Sequence, residues 1–219
     1  MNKNFDLEKN IQSITVGIKI KNSFTIMDSW GSIVDDILYD SGDVFPESMF
    51  TQVADLYHNH RMYNEITGEY LDISTDNIIL NIAVSEKLND AIRALDKMLK
   101  YIAVNIISRN KLITRRIGVV IRYASSKEKL EKFKGAYFNN VSKEISDVRF
   151  SMKSLTKDSR LWQGNDNYIN KIFTIEEGGI SYDFQVYFNP LQSDIRDVYV
   201  KVIDEAFKFF KQDVVEAMK

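Results

Sequence analysis

Between residues 13 and 21 apolar and polar positions alternate, with Ile14, Val16, Ile18 and Ile20 on one face and Thr15, Gly17, Lys19 and Lys21 on the other. A period of two predicts a half-buried strand. The period then lengthens: Trp30, Ile33, Val34, Ile37 and Leu38 fall on one helical stripe, with Asp28 as its cap and Ser41-Gly42 as its end. Residues 49–66 fit neither template throughout. Met49, Phe50, Val53 and Leu56 suit a helix, and an extended segment is expected from about Tyr57. Leu71 and Ile73, a Ser74-Thr75-Asp76-Asn77 turn, and then Ile78, Leu80, Ile82 and Val84 predict a hairpin. From Ser85 a long amphipathic helix follows, its stripe marked by Leu88, Ala91, Ile92, Leu95, Leu99, Ile102 and Ile106.

The order then starts again. A strand is predicted over 116–123, and Ser125-Ser126-Lys127-Glu128 has the capping-box pattern that opens a helix bearing Leu130, Phe133 and Tyr137. Val148, Phe150 and Met152 mark the next strand, and Glu177-Gly178-Gly179 joins Tyr168–Glu176 to Ile180–Phe188 as a hairpin that Asn189-Pro190 ends. A closing helix over 194–217 buries Ile195, Val198, Val202, Ala206 and Phe209, leaving Phe210 and Trp162 as candidates for an exposed interface. Val16-Gly17-Ile18-Lys19-Ile20-Lys21 is matched by Ile117-Gly118-Val119-Val120-Ile121-Arg122, the two glycines standing 101 residues apart in a chain of 219. An offset near half the length, with the same element order on both sides, points to duplication. The expected fold is therefore α+β: a duplicated β-α-β-β-β-α unit, mainly antiparallel, with helices on one face of the sheet and the other face open. The repeats span 1–111 and 112–219, and with two prolines and nine glycines there is no room for a flexible linker, so they pack as one globular unit.

This order resembles the TATA-binding-protein-like fold, a duplicated β-α-β(n)-α unit shaped as a saddle. Thr114-Arg115-Arg116-Ile117-Gly118 followed by Arg122-Tyr123 resembles a strand of a sporadically distributed bacterial protein family of unknown function, with two more residues between the glycine and the second arginine. The latter resemblance implies a bacterial source and no particular activity.

Charge narrows the partners only locally. The 29 basic and 31 acidic side chains leave a formal charge of −2, so any affinity for nucleic acid or membrane must come from clustering. Strand parity supplies such a cluster on the open face: Lys19, Lys21, Arg61, Arg116, Arg122, Arg149 and Lys153, against Glu65, Asp72 and Asp183, with Tyr57, Tyr63 and Tyr187 among them. Cations for anionic groups and rings for stacking make a binding platform, and Gly17 and Gly118 mark either a bulge or a place where another group comes close. With no cysteine there is no disulfide, thiolate metal site or cysteine nucleophile, and together with the lack of a signal peptide or apolar span this suits a cytoplasmic protein without membrane contact. His58-Asn59-His60 is the one metal-like pattern, with Glu65, Glu69 or Asp72 as third ligand, and phosphate-loop and serine-nucleophile motifs are missing. No metal and no cofactor is expected. The leading expectation is a non-enzymatic binding or adaptor protein that offers its open sheet to a protein partner or an anionic ligand, with homo-oligomer formation left open. A nucleic-acid-binding protein using the same basic face comes second, and a hydrolase with a His58/His60 metal site third.

Overall fold

The computed structural model describes residues 9–45, 52–56, 59–85, 87–138, 147–155, 168–188 and 195–219. The strands are β1 (Ile11–Ile20), β2 (Gln52–Leu56), β3 (Asn59–Tyr63), β4 (Tyr70–Ser74), β5 (Asn77–Ala83), β6 (Thr114–Ala124), β7 (Val148–Leu155), β8 (Tyr168–Glu176) and β9 (Gly179–Tyr187). They form a single antiparallel sheet in the order β2-β3-β4-β5-β1-β6-β9-β8-β7. The helices are α1 (Thr25–Asp28), α2 (Trp30–Asp35), α3 (Leu88–Tyr101), α4 (Lys127–Tyr137) and α5 (Ile195–Phe210). The chain is thus α+β and duplicated, as its periodicity predicts.

The register shows how the halves meet. In the β1–β6 ladder Gly17 lies opposite Gly118, Val16 opposite Val119 and Ile18 opposite Ile117. Advancing by 101 residues turns one side of this ladder into the other, so a pseudo-two-fold axis passes between the two glycines. No bulge occurs there; the irregularities fall near the N-terminal end of each strand, between Ile11 and Ser13 in β1 and opposite Lys19/Ile20 in β6. The bulge reading of the glycines is therefore set aside. A Cβ on Gly17 would meet open space, and one on Gly118 would only touch Asp183 and Gln185 at 3.6 Å.

Each helix packs by the stripe its sequence carries. Leu88, Leu95, Leu99, Ile102 and Ile106 are buried, as are Ile195, Val198, Val202 and Ala206, against Ile14, Val16, Ile18, Ile117, Val119 and Ile121 of the central strands. The second half adds rings: Phe133, Tyr137, Phe150, Phe173, Tyr182 and Phe210 interlock, with Phe150 stacked on Phe173 at 4.6 Å. Tyr199 of α5 donates a hydrogen bond to Asp96 of α3 at 3.3 Å, tying the two halves' long helices together.

Three details differ from expectation. The first half has four strands after its helices where three were expected, because 52–56 pairs with 59–63 in spite of its helical apolar spacing. Asp28 does not cap the helix: it ends α1, and Ser29 precedes α2 without a side-chain cap bond. Phe210 is fully buried, because it continues the Ala206 stripe by one turn and lies under Tyr123 and Tyr182. Trp162 and Asn189-Pro190 lie outside the described residues. Among the described residues no helix is long and apolar enough to cross a membrane.

Candidate functional site

The face of the sheet away from the helices is built in rows, because antiparallel register places every second residue of each strand beside its neighbours. One row runs Arg61, Asp72, Ile79, Gly17, Gly118, Gln185, Asn170, Lys153 from β3 across to β7. At its middle are the two glycines on the pseudo-axis, Gly17 facing open space and Gly118 buried against the Asp183 and Gln185 side chains. At its ends stand two cations, each over a tyrosine of the neighbouring strand: Arg61 4.7 Å from the Tyr70 ring centre and Lys153 3.9 Å from that of Tyr168. The pseudo-axis relates these pairs to each other, so the two wings began from one plan.

They no longer carry the same charge. On the first-half wing Arg61 and Lys19 are tied to carboxylates. Arg61 grips Asp72 in a two-pronged ion pair at 2.7 and 2.5 Å, and the hydrogen bond to Asp72 raises its guanidinium further above its ordinary value. Lys19 bonds Asp76 at 3.2 Å. Burial alone would raise the Asp76 carboxyl, but Lys19, with hydrogen bonds from Ser74 and Asn77, holds it below the usual range. Tyr63 donates to Glu65 at 3.5 Å. Lys21 lies past the end of β1, exposed, its backbone N–H donating to the Ile113 carbonyl.

On the second-half wing Arg116, Arg122, Arg149 and Lys153 have no ion pair among the described residues. Tyr168 and Tyr187 stack face to face at 4.3 Å, between Lys153 on one side and Arg116 on the other, whose guanidinium lies 5.5 Å from the Tyr187 ring centre. A relay of hydrogen bonds runs along β9: Arg116 donates to the Tyr187 oxygen at 3.2 Å, Tyr187 to Gln185 Oε1 at 2.8 Å, and Gln185 Nε2 to Asp183 at 2.6 Å. Burial pushes the Asp183 carboxyl above the ordinary range despite Gln185, Arg116 and Arg149, which pull it down. The first-wing counterpart of the Arg116–Tyr187 bond is Thr15 donating to Asn81 at 2.7 Å, a pair without charge. Farther along β6, Arg122 opens onto a cavity of about 380 Å³ at the β8–β9 turn, with Glu176, Glu177, Gly179 and Ser181 on its wall. Gly179 is needed there, since a Cβ would come within 2.6 Å of the Tyr123 carbonyl.

The open face therefore brings together Arg116, Arg149, Lys153 and Tyr187 as sequence parity foretells, separates Lys21 from them, and neutralises Lys19 and Arg61. Gln185 and Tyr168 were missed. Tyr168 was readable, since it heads a predicted strand one residue out of phase with the core position Ile169, whereas an uncharged Gln185 gives no signal until its neighbours are known. His58 lies outside the described residues, as does the side chain of His60, and among the described residues no three metal-binding side chains cluster.

Fold and face together define a class: a duplicated α+β protein with an open, asymmetrically charged antiparallel sheet. No protein-family model matches the chain, and no curated protein matches its sequence, so the short likeness around Arg115 is not extended by either. Among solved structures the chain is similar to Methanococcus jannaschii TBP, at 10% identity and a TM-score of 0.31, over 94% of this chain and 98% of that one. The functional reading rests on the side chains of the open face.

Proposed function

We propose that this chain is a binding protein that holds an anionic partner on the second-half wing of its open sheet. The observation that carries the reading is the contrast between the wings: the cation over a tyrosine is neutralised by Asp72 on one side, where Asp76 also takes Lys19, and on the other its counterpart Lys153 has no ion pair among the described residues. Paired strands fix the spacing of the backbone positions that carry the cations, and the stacked Tyr168 and Tyr187 give a flat surface between Lys153 and Arg116. The bare backbone at Gly17, over which no side chain lies, lets a partner come close to the centre of the sheet.

The test is fluorescence anisotropy of labelled polyglutamate and a labelled single-stranded oligonucleotide at low salt. Arg116→Glu/Lys153→Glu should weaken binding of whichever anion the wild type takes by about tenfold or more, whereas Lys19→Glu should change it little because that cation already has a carboxylate partner. Equal losses from both wings would refute the assignment. If the oligonucleotide alone binds, with affinity falling steeply as salt rises, the nucleic-acid reading replaces that of a protein partner.

A further inference from the structure

Among the described residues the second wing ends at β7, which pairs with β8 alone. Among the described residues nothing pairs with its outer side, so alternate backbone N–H and C=O groups along eight residues face outward without a strand to meet them. We propose that this edge accepts an extended acidic polypeptide segment as an added strand, the segment reading acidic, apolar, small, apolar, acidic across Arg149, Phe150, Ser151, Met152 and Lys153. The inference rests on the reading of the second wing as an anion-binding surface and identifies its partner.

The pattern follows from what the edge presents. Arg149, Ser151 and Lys153 are exposed on the open face, with the two cations four residues apart, about 13 Å along a strand. In an added antiparallel strand the residues opposite them are also four apart and on the same face, so two carboxylates meet both cations at once. Phe150 and Met152 point the other way, toward the helices. Phe150 is half-buried and stacked on Phe173, and Met152 remains 36% exposed, so apolar side chains opposite them would close the end of the core. Charge also decides against a second copy of this chain. Antiparallel self-pairing about Ser151 would set Arg149 against Lys153 twice, and like charges directly opposite are unfavourable. Cationic edges commonly prevent such self-pairing, and here the same charges select a carboxylate-bearing strand by the backbone-pairing mode of recognition.

The experiment uses the full chain and a labelled peptide containing Glu-Val-Ser-Val-Glu, read by anisotropy at low salt. The wild type should bind it, Arg149→Glu/Lys153→Glu should weaken it by about tenfold or more, and a Lys-Val-Ser-Val-Lys peptide should restore binding to that variant. N-methylation of alternate amides in the peptide should abolish binding while its charge is unchanged. If the N-methylated peptide binds as well as its parent, strand addition is overturned and the anionic-partner reading stands. If polyglutamate binds the wild type and this peptide does not, the sequence pattern is overturned; if only the oligonucleotide binds, strand addition is overturned and the anionic-partner reading stands; if none of the three binds, both readings fail.

Discussion

Asp183 is a carboxylate placed among cations yet held above its ordinary ionisation range, because burial on the wing outweighs the hydrogen bond from Gln185 and the charges of Arg116 and Arg149. A folded-state value above the unfolded one means the contribution to stability is fully present below the ordinary carboxylate range and is lost as pH rises through the folded value. Asp76 behaves in the opposite sense: its lowered value gives stability that is present above the ordinary range and lost as pH falls through the folded value. At neutral pH, then, the ionised Asp183 is a cost. Asp183→Asn, which keeps an oxygen for the Gln185 donor at 2.6 Å, should raise Tm at pH 7, and the gain should shrink to nothing as pH falls below about 4. Thermal melts of both proteins across that range measure it, and a lower Tm for the variant at pH 7 would show that the charge is paired and not merely buried. The sequence could place Asp183 on the open face by parity, but whether a neighbour neutralises it depends on cross-strand register, which is also why the Asp72 and Asp76 pairings were not legible.

At the scale of elements, both long helices pass into wider π turns at their C-terminal ends, α3 over Ile102–Ser108 and α5 over Lys211–Val215. In α5 the widened turn presents Asp213 to Lys171, whose ammonium lies 2.7 Å from the carboxylate and 3.7 Å from the centre of the Phe209 ring. The pair lies beneath the sheet, with side chains only 13% and 18% exposed, and the Tyr182 hydroxyl, pushed far up by burial, donates to the same carboxylate at 3.5 Å. Breaking such a pair from one side leaves an uncompensated charge. Lys171→Met should therefore cost roughly 3 kcal/mol in urea unfolding, and Lys171→Met/Asp213→Leu should recover much of that loss. A single variant as stable as the double would show that water reaches Asp213. Here the sequence offered a clue that parity alone could have used: Lys171 occupies a core-facing position between Ile169 and Phe173. Helix phases and lengths were largely legible because their apolar stripes are long. The strand at 52–56 was not, since five residues whose apolar spacing also suits a helix become a strand only through pairing with 59–63.

For the whole molecule, a nearly balanced net charge conceals the division of labour between the wings, and duplication is what makes the division readable, since each wing is a control for the other. The same symmetry bears on folding. The central ladder joins β1 of one half to β6 of the other over nine residue pairs from Ile11–Tyr123 to Ile20–Thr114, and α3 and α5 pack together on its helix side. A half alone would expose its longest, most apolar strand as an edge, along with the flank of its long helix. We take the two units to be residues 1–111 and 112–219. Expressed separately, each fragment should aggregate or pair with itself through its central strand, since that edge was built around a two-fold axis and Gly17 or Gly118 could lie opposite its own copy. Expressed together, the two should form a one-to-one complex with the parent's circular dichroism. Light scattering after size exclusion decides the matter. A monomeric 112–219 fragment that unfolds cooperatively would mean that the second half completes its core without β1, and that the shared ladder joins two finished domains and is not the centre of one.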